Sequence, residues 1–251
     1  MLPLKVNGAD EFLPDTTFDN ILNSYLFDRE LRILVFDAVE KIEIAFRTQI
    51  IYQPSLASGP FWYENPNNFL DRPKAEGHLE IIDQEVERSS ETFITHHRAK
   101  YFSQVRPPSW MAFEVASLGL LSKMAQNIKD YNIRTNIAAH FGLKQYFVFE
   151  SWMQSIVYVR NICAHHSRLW NRILTIKPQV LQKSRLLWID SASVGNDKLY
   201  YFLCCLVFLS RQINPETAFV TKLRDLFAQY PETPLAAMGF PPEWSDLPFW
   251  Q

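Results

Sequence analysis

Glycine is scarce in this chain, with 7 residues among 251, where average usage of about 7% would supply roughly 18. So few glycines leave little material for tight turns or for phosphate-cradling loops. They favour helices separated by proline-marked breaks. Cysteine is nearly as rare: Cys163 and the adjacent Cys204 and Cys205. A bridge between neighbours would close a strained ring, and an odd count argues against a disulfide framework. A reducing cytoplasm is the expected compartment. No run of about 18 or more apolar residues is present to span a membrane, and "MLPLKVNGADEF" lacks the charged and apolar regions of a signal peptide. No G-x-S-x-G, no spaced Cys/His signature, no repeat and no βαβ alternation appears.

What is present suffices for a sizeable core. Apolar residues make up 47% and aromatics 14%, which excludes a disordered chain. The net charge of −2 hides an uneven distribution. From Ser151 to Ile189 stand six basic residues (Arg160, Arg168, Arg172, Lys177, Lys183, Arg185) and no acidic one. The remainder carries 19 basic and 27 acidic residues, a net of −8. A local +6 in that background attracts anions if its residues share one surface, and is a solvated face if they do not.

Hydrophobic spacing predicts an all-α protein. A first helix is expected from Thr16 to Gln53, with Asp28 as a cap and Leu31, Val35, Ala38, Ile42 and Ala45 as its core stripe. Glu43 and Arg47 follow at helical spacing as a surface ion pair. An ordered loop about Pro54, Gly59, Pro60 and Pro66 precedes a polar helix from about Lys74 to Tyr101. Ser109 is the expected N-cap of the next helix. A short helix near Arg134 to Phe141 ends at Gly142, and another runs from Leu143 to about His166. Leu199 to Ile213 and Glu216 to Tyr230 form a last pair about Asn214 and Pro215. The whole of 1–251 reads as one helical domain, with an irregular lead to about residue 15 and a proline-rich tail from about 231.

The chemistry-bearing stretch is "VRNICAHHSRLWNR", Val159 to Arg172. His165 and His166 point about 100° apart on a helix, so they do not form a two-ligand face. Partners such as His96, His97 or Cys163 would have to come from elsewhere, so no metal is expected. Histidines beside a helix C-terminus also complement its dipole without any further role. Cys163 reads as a buried helix cysteine rather than a nucleophile. Arg160 and His165 lie about 140° apart on an ideal helix, whereas Asn161 shares the face of His165. A permanent cation, a neutral hydrogen-bonder and a group that exchanges protons near neutral pH are what metal-free cleavage of an RNA phosphodiester requires.

"RNICAHHSRLWNR", with "LRILVFDAVEKIEIAFRTQI" and "SWMAFEVASLGLLSKM" upstream, resembles the Abi-like family of bacterial abortive-infection proteins, whose core belongs to the HEPN (higher eukaryotes and prokaryotes nucleotide-binding) superfamily. The resemblance runs in order from Phe18 to Arg172. It implies a HEPN-like helical bundle with additional helices, and a metal-independent endoribonuclease needing no cofactor. It also implies a homodimer in which two motifs face each other, which would answer the 140° divergence. The superfamily's catalytic positions fall on Arg160, Asn161 and His165. His166, Arg168, Arg172 and Lys177 are then candidates for RNA contact, and Glu43, Arg47 and Asn171 for support. Trp152, Tyr158 and Trp170 beside the motif suit either the dimer contact or the core. Family members work in phage defence, with a small RNA or a protein antitoxin as partners. They commonly open with a "YYRLSGY"-like pattern that is missing here, so the chain reads as a short or truncated member. Two functions follow: an RNA-cleaving toxin, favoured by the complete Arg160, Asn161 and His165 set, or a non-catalytic RNA-binding module using the same basic run. A DNA-binding regulator lacks the helix-turn-helix spacing.

Overall fold

The computed structural model describes residues 11, 12, 14, 16–102, 106–190 and 193–251. Most of the irregular lead expected to residue 15 lies outside them. The described residues are all-α: α1 (Phe18–Ser58), α2 (Arg72–Arg88), α3 (Thr92–Lys100), α4 (Ser109–Ala112), α5 (Leu118–Asn127), α6 (Tyr131–His140), α7 (Tyr146–Ala164), α8 (Leu199–Ile213) and α9 (Phe219–Gln229), with short 3-10 turns between. Extended pairing is limited to isolated bridges such as Phe69 with Ile128. Among these residues no helix is long and apolar enough to cross a membrane. The chain forms two compact units, residues 41–157 and residues 1–40 with 158–251.

Thr17, not Asp28, starts α1. Thr17 Oγ1 accepts from the Asn20 N–H while Asn20 Oδ1 accepts from the Thr17 N–H, a reciprocal cap. Asp28 is inside the helix and buried. The expected core stripe holds for Leu31, Val35, Ala38 and Ile42, but Phe46 rather than Ala45 continues it inward. The helix also runs through Pro54, where a break was expected. The proline removes one hydrogen bond, but its ring is buried, and the helix ends only where Gly59 turns left-handed at φ +80.

In the unit of residues 41–157, Phe46, Phe141 and Phe149 pack together, as do Trp62, Tyr63, Phe69 and Phe113. The expected polar helix is broken into α2 and α3, because Ser89 leaves the helical conformation and its hydroxyl accepts from the Glu91 N–H. Ser117, not Ser109, caps the main helix of the next segment by accepting from the Leu120 N–H. Ser109 begins the single turn α4 and bonds the Ser55 hydroxyl at 3.0 Å. Glu43 and Arg47 are no surface pair. They meet at 3.0 Å with side chains 18% and 14% exposed, and Arg47 also donates to the carbonyls of Phe113 and Ala116, tying down the turn before α5.

In the other unit, α8 is buried continuously from Leu199 to Ser210. A helix apolar on every side belongs at the centre of a core. The proline-rich end is part of that core. Its 3-10 turns bury Met238, Phe240, Trp244, Phe249 and Trp250, and Trp250 Nε1 donates to the Tyr200 hydroxyl at 3.1 Å. Gly239 is required there: φ is +89, and a Cβ would come within 2.7 Å of Lys198 Cβ.

Candidate active site

The Arg160–Arg172 segment begins on the last turn of α7 and leaves it through a defined stop. The His166 N–H bonds the Cys163 carbonyl at 3.1 Å and the Ser167 N–H bonds the Ile162 carbonyl at 3.0 Å. This is the pair of bonds of a Schellman cap, with His166 in the left-handed position at φ +54 that glycine usually fills. The helix therefore ends at Ala164, two residues short of the expected His166.

Before that stop the register stays helical, since the His165 N–H still bonds the Asn161 carbonyl at 3.0 Å. Arg160 and His165 therefore keep the divergence of about 140° that an ideal helix gives them. Asn161 and His165 are exposed, as is His166. Arg160 is half-buried, with its guanidinium 5.7 Å from the centroid of the Phe36 ring, within reach of a cation–π attraction. Its Nε is buried and has no hydrogen-bond partner among the described residues.

Beyond the stop, the chain is clamped from below. Leu169 and Trp170 are buried, and both their N–H groups donate to Asp28 Oδ1, at 2.8 and 2.6 Å. Asp28 Oδ2 accepts from Arg32 Nε at 3.0 Å, and both residues of this ion pair are buried. One carboxylate on α1 thus satisfies two backbone donors of the motif segment and one guanidinium. Burial pushes the nearby Cys163 thiol up to about 12, against a smaller opposing pull from Arg32, so it stays protonated at neutral pH.

The remaining motif residues spread over this anchored turn. Arg172 Nε donates to the Arg168 carbonyl at 2.7 Å, and Asn171 takes a second left-handed conformation at φ +49. Partial burial works to raise the Tyr158 phenol, but hydrogen bonds from Thr175 and Arg172 outweigh it and hold its pKa below the ordinary tyrosine value. Lys177 is exposed, with Nζ 4.0 Å from the Asp197 carboxylate, so an acid from beyond the basic stretch tempers one of its six charges. Trp152 and Trp170 are core residues of this chain, and only Tyr158 of the three flanking aromatics is half-exposed. Glu43 and Arg47 belong to the other unit. Among the described residues no group of three His, Cys, Asp or Glu side chains is arranged to hold a metal ion.

Sequence reasoning missed Asp28, Arg32 and Phe36 as parts of this site. The i, i+4 spacing of Asp28 and Arg32 was a readable signal for the pair. Nothing local indicated that the same carboxylate reaches backbone donors 141 and 142 positions away.

Compared with known proteins, residues 1–171 match the family model described as Abi-like protein, which covers more than half of the chain and begins earlier than the resemblance starting at Phe18. α8, α9 and the aromatic C-terminal turns lie beyond the matched span. No curated protein and no solved structure matches the chain.

Proposed function

Because the chain belongs to the Abi-like protein family, it is implicated in abortive-infection phage defence, and we propose that within that setting it is a metal-independent endoribonuclease of the HEPN type. The observation that carries this reading is the state of Arg160. Its guanidinium is held against Phe36, its Nε is desolvated without a protein partner, and the proton-exchanging His165 stands exposed within the same turn and a half. A buried donor without an acceptor is costly unless a ligand supplies one. A phosphodiester oxygen is such an acceptor, and its charge suits a guanidinium.

In this mechanism a histidine takes the proton of the RNA 2′-hydroxyl, whose oxygen attacks the adjacent phosphorus. Arg160 stabilises the charge that gathers on the phosphoryl oxygens. The bond to the 5′-oxygen breaks, that oxygen receives a proton from a histidine, and the products are a 2′,3′-cyclic phosphate and a 5′-hydroxyl. Asn161, on the His165 face, orients the substrate by hydrogen bonding.

One copy offers Arg160 and His165 on diverging sides, so the working unit in this reading is a homodimer in which one motif faces the other. Exposed Phe18, Leu22, Tyr25 and Ile33 support it. They lie along one narrow side of α1 at three-, four- and eight-residue intervals, and that side continues to Phe36 beneath Arg160. The test is incubation of purified protein with total RNA in excess chelator, with mapping of the cut ends. Cyclic phosphate ends that persist in chelator and vanish in His165→Ala are expected. Activity lost to EDTA and restored by a divalent cation refutes the mechanism, and salt-sensitive binding with no cleavage selects the non-catalytic RNA-binding module instead.

A further inference from the structure

A cavity of about 460 Å³ opens in the unit of residues 41–157, between the end of α1, the turn at Asn67–Asn68 and the start of α6. Its size is that of a small-molecule site. No residue of the Arg160–Arg172 segment lines it. Trp62 forms part of its wall and is only 2% exposed, yet its indole Nε1 is buried with no hydrogen-bond partner among the described residues. An indole N–H is a donor only, so what satisfies it must bring an acceptor.

The other side chains around the opening are a mixed set. The Tyr131 ring is 63% exposed, and its neighbour Tyr146 meets it edge-on at 5.6 Å. Asp130 caps α6, its Oδ1 accepting from the Asn132 and Ile133 N–H groups at 2.7 and 3.2 Å, while Oδ2 keeps its acceptor capacity. Lys129 adds a cation, and Asn67 and Asn132 add amides that both donate and accept. A flat heterocycle uses an aromatic platform and amide edges, vicinal hydroxyls use a carboxylate oxygen, and a phosphate uses an ammonium. A neutral sugar would leave Lys129 without a role.

We propose that this cavity binds a nucleotide, with its base stacked on Tyr131 and accepting from Trp62 Nε1, its ribose hydroxyls donating to Asp130 Oδ2, and its phosphate paired with Lys129. The same chemistry fits a free mononucleotide and one residue of an RNA strand. The site follows from the cavity alone and does not depend on the ribonuclease reading.

The test is titration of the full-length protein, labelled with nitrogen-15, with adenosine 5′-monophosphate, uridine 5′-monophosphate, a tetraadenylate and ribose. The indole N–H signal missing from the spectrum of Trp62→Phe identifies the reporter. Saturable movement of that signal by at least one nucleotide is expected, and none by ribose. Tyr131→Ala, a surface change that leaves the core intact, should weaken binding about tenfold or more, as the loss of one stacked base predicts. Lys129→Glu should weaken the monophosphates more than the corresponding nucleosides. Tighter binding of the monophosphate than of the tetraadenylate identifies a free nucleotide as the occupant, and the reverse identifies an RNA strand. The proposal is overturned if the signal stays still at millimolar nucleotide, or if ribose moves it equally. It is also overturned if binding survives Tyr131→Ala unchanged but is lost in Arg160→Ala, which would put the nucleotide at the motif.

Discussion

Replacing Asp28 with asparagine tests whether the segment carrying the candidate chemistry is held by a single buried carboxylate. The side chain receives three hydrogen bonds, from Leu169 N–H at 2.8 Å, Trp170 N–H at 2.6 Å and Arg32 Nε at 3.0 Å, and the ion-pair side chains are each 9% exposed. Asparagine keeps the shape and one acceptor oxygen, so one or both backbone bonds can survive in weaker, uncharged form. The facing amide nitrogen cannot accept from Arg32, which leaves a buried cation without its counter-charge. Hydrogen bonds to charged groups contribute about 1.5–3 kcal/mol each, but they are not additive here. Breaking one side of a buried pair costs about 3–5 kcal/mol, and that is the loss expected for Asp28→Asn by urea denaturation. The double variant Asp28→Asn, Arg32→Met should recover a large part of it, because no charge is then left buried alone. Hydrogen exchange at the Leu169 and Trp170 amides reads the same clamp locally and should accelerate in the single variant. A loss below about 0.5 kcal/mol, the range of ordinary surface changes, with unchanged exchange at both amides, would refute the clamp.

Mixing inactive Arg160→Ala with inactive His165→Ala should regenerate part of the cleavage activity if the two groups act across a two-fold axis, while no recovery after verified subunit exchange would exclude that arrangement. His166→Gly relieves a left-handed backbone at φ +54 and should raise stability by about 0.5–1 kcal/mol; a lower melting temperature would show that the imidazole makes compensating contacts. Gly239→Ala places a methyl group 2.7 Å from Lys198 Cβ at φ +89, so a loss of about 1–3 kcal/mol is expected from overpacking, with backbone strain added, and a neutral result in denaturation would contradict the packing of the C-terminal turns.

The features legible in the sequence are those that short-range physics controls. The boundaries of α8 at Leu199 and Ile213 agree with the expectation to the residue, because an uninterrupted apolar run ends at an Asn-Pro pair. The all-α class, the left-handed Gly142 beyond α6 and the burial of Leu31, Val35, Ala38 and Ile42 follow likewise from spacing and from glycine's backbone freedom. The motif string was readable as chemistry, and so was the angular divergence of Arg160 and His165, since both sit on one helix whose period is known. Tertiary structure decided the rest. Pro54 stays helical because its ring is buried, at a position where local propensity favours a break. Arg47 holds two carbonyls 66 and 69 residues away, which turns an expected surface pair into a clamp. The proline-rich end is core rather than tail, because its tryptophans and phenylalanines meet the buried face of α8. Asp28 is the clearest case. Locally it looks like a cap, since aspartate competes for nearby backbone N–H groups. The donors it binds instead come from a segment more than a hundred residues away, and only the folded chain brings them within hydrogen-bonding distance.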